Sequence, residues 1–85
     1  MQFMRNVNDM VDARLTLGMR VKRLRYCCGL SQEQLSEITG IHRSYISRVE
    51  TGESSPSFDV LVVLAQGLGI SPSELVEGIG VPFGG

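Results

Sequence analysis

The sequence predicts an all-α domain. Apolar residues recur every three or four positions in each segment, the spacing of one buried helix face. No stretch alternates apolar and polar residues with period two, so no strand is expected. Four glycine-bearing breaks punctuate the chain: Gly29-Leu30-Ser31, Gly40-Ile41-His42, residues 52–57 and Gly69-Ile70-Ser71. They lie eleven to seventeen residues apart and divide the chain into five helical segments. At 85 residues the chain has the length of one domain.

The first segment runs from about Leu15 to Cys28. Leu17, Val21, Leu24 and Cys28 fall on one stripe, Arg20, Lys22, Arg23 and Arg25 occupy the remaining surface, and Gly29 supplies the left-handed residue that ends the helix. The second opens at Ser31 with Gln34 three residues on, a capping box, and turns Leu35 and Ile38 inward. Gly40 then allows a tight turn. The third, about Arg43 to Thr51, directs Ile46 and Val49 inward and leaves Arg43, Ser44, Ser47 and Arg48 on the opposite face. The fourth follows Pro56, is capped by Ser57 and carries the stripe Leu61, Leu64, Ala65, Leu68. The fifth has Ser71 as cap, Pro72 at its first position and Glu74 completing a second capping box, with Leu75 as inward anchor.

The two ends are less regular. Phe3, Val7, Met10, Arg14 and Leu17 keep helical spacing, so residues 5–14 either extend the first helix or form a short one before it. We therefore divide the chain into an N-terminal extension (1–14), a domain (15–77) and a glycine-rich apolar tail (78–85).

Composition narrows the function. The net charge of −1 conceals a division: residues 1–48 hold all eight bases and four acids, a surplus of +4, whereas residues 49–85 hold five acids and no base. A chain divided this way can present a positive face to a polyanion and keep its acids on the far side; chance segregation in a short chain is the competing reading. No apolar run approaches bilayer-spanning length, and the first fourteen residues lack the apolar core of a secretory signal. Cys27 and Cys28 are adjacent, which forms neither a disulfide framework nor a Cys-x-x-Cys site, and a reducing cytoplasm suits them. The single His42 has no nucleophile or carboxylate at triad spacing, and there is no glycine-rich phosphate loop. Neither enzymatic activity, nor a metal, nor a cofactor is expected.

Two short helices joined at Gly40 outline a helix-turn-helix over about residues 31–51. The strings Gly29-Leu30-Ser31-Gln32-Glu33-Gln34-Leu35-Ser36, Gly40-Ile41 and residues 43–52 resemble the Cro/phage-repressor (XRE-type) DNA-binding family, and Pro56-Ser57-Phe58 with residues 64–71 resemble its downstream half. The likeness spans about residues 17–77. It implies a compact five-helix, lambda-repressor-like domain that lays its third helix in the DNA major groove, where each base pair shows a distinct donor and acceptor pattern.

The resemblance also implies roles. Arg43, Ser44, Ser47 and Arg48 stand at base-reading positions, and either arginine has the fork to engage O6 and N7 of guanine; plain exposure is the competing reading for the two serines. Gln32, at the start of the second helix, matches a phosphate clamp, against an ordinary polar residue there. Arg20 and Arg23 suit backbone contact, against a merely solvated face. Tyr45 either lays its hydroxyl on a phosphate or packs a thymine methyl. Arg25 and Glu50 match a pair that ties the first helix to the third.

Several positions depart from the family pattern. His42 stands where a Ser or Thr cap is common, and either caps weakly or reaches a phosphate. Glu53 replaces a frequent base, which lowers backbone affinity and its salt dependence. Val60 and Val63 replace polar residues; with Ile79, Val81 and Phe83 they suggest a dimer interface, unless the tail folds back over the valines within one subunit.

The function expected is a homodimeric transcriptional regulator on a palindromic operator, its two recognition helices about 34 Å apart. The string from His42 to Ser47 leans toward the restriction–modification controller type over the phage-type repressor. The alternative is an antitoxin-like interaction module with a protein partner and DNA binding secondary. Double-stranded DNA and a second copy are thus the expected partners, with no membrane.

Overall fold

The computed structural model describes residues 7–80, with side chains from residue 12 onward. Five helices follow one another: α1 (Val7–Cys27), α2 (Gln32–Thr39), α3 (Arg43–Glu50), α4 (Phe58–Leu68) and α5 (Pro72–Val76). There is no strand among the described residues. The first helix is continuous through residues 7–14, so extension is the reading that holds for this stretch from Val7 on. Among the described residues no helix is long and apolar enough to cross a membrane.

The caps follow the residue types. Ser31 and Ser71 each accept from the backbone N–H three residues on, and Gln34 and Glu74 reach back to the cap N–H, so both capping boxes form. Ser57 accepts from the Val60 N–H at the start of α4. Gly40 closes α2 at φ 76° and donates its N–H to the Ser36 carbonyl; a side chain there would be strained.

The core joins all five helices. Leu17, Val21, Leu35, Ile46, Val49, Leu64, Ala65, Leu68 and Leu75 are buried together. α1 crosses α3 at Gly18, where an added Cβ would strike the backbone carbonyls of Val49 and Glu50. α2 approaches α4 at Gly67, whose missing side chain makes room for Thr39 and Leu35.

Two expectations about the core need correction. Ile38 is 57% exposed, because Leu35 already fills the inward face of the two-turn α2 and Ile38 lies at the edge of the α2–α4 contact. Cys28 is exposed, because it closes the last turn of α1, where its N–H still bonds to Leu24 but no further turn covers it. Leu61 packs against the core, as its stripe requires, but is half-buried rather than enclosed. Of the tail, only residues 78–80 are described. Ile79 donates its N–H to Val76 and packs against the core of its own subunit, as does Val60. Val63 is half-buried, and Val81 and Phe83 lie outside the described residues.

Candidate nucleic-acid interface

The site is built on α2, the turn through Gly40, Ile41 and His42, and α3. Its rigidity comes from a buried node. Arg25, near the end of α1, donates through Nε to Glu50 Oε2 at 2.7 Å and through a second nitrogen to Oε1 at 2.8 Å. The two side chains are only 6% and 2% exposed. A third nitrogen of Arg25 donates to the Leu30 carbonyl at 2.9 Å. Gln32 donates from Nε2 to Glu50 Oε1 at 3.0 Å. One carboxylate thereby holds α1, α2 and α3 together. Its hydrogen bond raises the Arg25 guanidinium above its usual range, outweighing the opposing effect of burial. Protonated Arg25 favours the folded state, and this contribution is lost only when pH rises through that elevated value, well beyond ordinary conditions.

A carboxamide nitrogen carries two hydrogens. One from Gln32 is committed to Glu50, which leaves the other, together with the N-terminal backbone of α2, for an anion. Gln32 and Arg43 line the same shallow groove, with Arg25, Tyr26, Leu30, Ser31 and Glu33 on its walls.

The outer face of α3 is set by what its inner face buries. Ile46, Val49 and Glu50 point inward, and Arg43, Ser44 and Arg48 are exposed, with Ser47 half-buried. Tyr45 is also half-buried, packed against the core, and the Arg48 guanidinium lies 5.7 Å from its ring centroid. His42 caps α3: its Nδ1 accepts from the Ser44 N–H at 3.1 Å and lies 2.8 Å from the Ser44 hydroxyl. An accepting Nδ1 has its ring hydrogen on Nε2, which faces away from the helix end as a free donor. At the other end, the Thr51 hydroxyl donates to Glu53 at 2.7 Å and fixes that acid beside the C-terminus of α3.

The remaining bases are dispersed. Arg23 is exposed and makes no hydrogen bond among the described residues. Arg20 is engaged elsewhere: one nitrogen donates to the carbonyls of Leu75 and Glu77, at 3.1 and 2.6 Å. These are carbonyls at the end of α5, so Arg20 acts there as a helix C-cap. Gln32 and Arg43 line one groove, Arg43, Ser44 and Arg48 share the exposed face of α3, and Arg20 has one nitrogen committed to the end of α5.

Two residues were not found by sequence reasoning. Tyr26 is exposed on the groove wall, its ring 4.8 Å from the Arg25 guanidinium. Its signal was an aromatic directly after a run of bases. Phe58, at the first turn of α4, is 73% exposed. Its signal was an aromatic outside a core stripe already complete without it.

A family model described as helix-turn-helix matches residues 21–75. The control protein C.SmaI of Serratia marcescens is 39% identical over 66 residues, which are 78% of this chain and 79% of that protein. The immunity repressor of Bacillus phage phi105 is 37% identical over 62 residues, 73% of this chain and 43% of the longer repressor. The crystal structure of the restriction–modification controller protein C.AhdI from Aeromonas hydrophila superimposes with a TM-score of 0.71 at 40% identity, covering 73% of this chain and 94% of that one. The chain therefore belongs to the XRE-type helix-turn-helix family of DNA-binding transcriptional regulators.

Proposed function

We propose that the chain is a homodimeric regulator that binds a palindromic operator, of the restriction–modification controller type. The observation that carries this reading is the joint exposure of Arg43, Ser44 and Arg48 on a helix whose other face is locked by the Arg25–Glu50–Gln32 node. In this reading Arg43, Ser44, Ser47 and Arg48 meet base edges. Gln32, the Nε2–H of His42 and the Tyr45 hydroxyl meet phosphates, Arg23 adds a peripheral contact, and Arg20 contributes only through nitrogens not bound to α5. The similarity to C.SmaI and C.AhdI supports the controller type. Such a regulator works where DNA is, in the cytoplasm.

The dimer surface in this reading is the outward face of α4. Val63 and the exposed Phe58 contribute to it; Val60 and Ile79 also pack on their own core, and Val81 and Phe83 lie outside the described residues. The exposed Phe58 also serves the second reading, an antitoxin-like module that docks on a different protein.

Selection of bound duplexes from a random DNA pool tests the proposal. The expected result is a two-fold sequence with half-sites about one helical turn apart. An enriched site without two-fold symmetry overturns the palindromic dimer. No enrichment, together with a protein partner that protects Phe58, favours the interaction module.

A further inference from the structure

The function just proposed makes no use of Cys27 and Cys28. Both are free and exposed, and they sit where α1 stops. Cys27 is the last residue of α1, and Cys28 follows it with its N–H still bonded to the Leu24 carbonyl at 3.0 Å, just before the chain turns at Gly29; both side chains stand at the exposed end of the helix. Cys28 is lightly tethered: its Sγ donates to the Leu68 carbonyl at 3.6 Å.

The chemistry open to this pair is narrow. Adjacent Cα atoms lie about 3.8 Å apart, closer than the roughly 4.4–6.8 Å that disulfides span. Direct S–S closure is therefore strained. A four-ligand ion such as zinc needs more donors, and among the described residues no three His, Cys, Asp or Glu side chains cluster to hold a metal. A two-coordinate linear ion would need sulfurs on opposite sides of it, which a ring closed across a single peptide does not permit. A pyramidal trivalent centre satisfies the geometry. It takes two sulfurs at a bent angle and keeps them well beyond the ~2.05 Å of a disulfide bond.

We propose that Cys27 and Cys28 form a bidentate site for trivalent arsenic or antimony species. With phenylarsine oxide as the probe, two S–As bonds form and the As=O bond breaks. The two thiol hydrogens leave with that oxygen as water, and arsenic stays trivalent, so no oxidant or reductant is needed. The chelated Cys28 sulfur no longer carries a hydrogen and its bond to Leu68 is lost. The backbone beyond it, Gly29 to Ser31, leads directly into Gln32 and the groove. Resting on the DNA-binding reading above, occupancy therefore shifts the start of α2 and weakens duplex binding.

The test is mass spectrometry of the folded chain with phenylarsine oxide, beside Cys27→Ser and Cys28→Ser. The expected adduct has one arsenical per chain, is reversed by ethanedithiol but survives excess monothiol, and is lost in either variant. Two arsenicals per chain, or a monothiol-resistant adduct on a single-cysteine variant, overturns the site. The coupling is read separately as affinity for the selected duplex, expected to fall severalfold on chelation in the wild type and not in Cys28→Ser. An adduct with unchanged duplex affinity overturns the coupling. A chain that binds no duplex in any state overturns the DNA reading, while the adduct test stands.

Discussion

Arg43 and Gln32 line one groove, and the proposed reading gives them different tasks, which mutation separates. Arg43→Ala should relax base preference at one position of the site and cost roughly 1–3 kcal/mol there. Gln32→Ala should weaken binding to all duplexes alike, as expected of a phosphate contact. Binding measured on the selected site and on a scrambled one distinguishes the two patterns. Glu50 acts one step further back. It touches Arg25 and Gln32 in the interior, so Arg25→Met leaves a carboxylate buried without its cation. The expected loss is about 3–5 kcal/mol of folding stability. Arg25→Met with Glu50→Met should cost less than the single change, since nothing charged is then stranded. Urea unfolding of the three proteins checks the order. At this scale the sequence was informative about identity and less so about commitment. Arg25 and Glu50 meet, but nothing in the spacing of Arg20 distinguished a solvated base from one bound to carbonyls 55 residues away.

Among the elements, the recognition helix has an unusual cap. His42 supplies through Nδ1 what a serine or threonine supplies through a hydroxyl. His42→Ala should cost about 1 kcal/mol in thermal or urea unfolding, and His42→Ser should restore most of it. The α1–α3 crossing is less forgiving. Gly18 lies in mid-helix with ordinary helical backbone, so Gly18→Ala would raise helix propensity in isolation. Here the methyl would meet the carbonyls of Val49 and Glu50, which cannot turn aside as a side chain can. The substitution should destabilise the protein by roughly 1–3 kcal/mol, the opposite of the propensity expectation. Helix number, order and caps were legible because glycine, serine and proline act locally. Ile38 and Cys28 were not, because a short helix offers few positions to the core and the last turn of a helix has no further turn to cover it.

For the whole molecule, the division of charge along the sequence bears on the proposed approach to DNA. Glu53 is fixed by Thr51 beside the exposed end of α3 and opposes a phosphate approaching there. Glu53→Lys should raise duplex affinity and steepen its dependence on salt concentration, by about one counterion for each new phosphate contact. Titrations at several salt concentrations give the slope. If α4 forms the dimer, Phe58→Glu should shift the chain to monomer in sedimentation and make duplex binding more dependent on protein concentration. The apolar excess at Val60 and Val63 was visible in the sequence, but which apolar residues remain uncovered depends on how α5 and Ile79 close over the core.

The bond from Arg20 to the end of α5 also bears on how the protein is made. α1 emerges from the ribosome before α5, yet the carbonyls that bind Arg20 belong to Leu75 and Glu77. The core position filled by Leu75 remains vacant until the same late moment. Synthesis runs at about 5–20 residues per second, so the nascent helix spends seconds without this partner. The domain should thus acquire its folded form abruptly, once α5 has been made, rather than helix by helix.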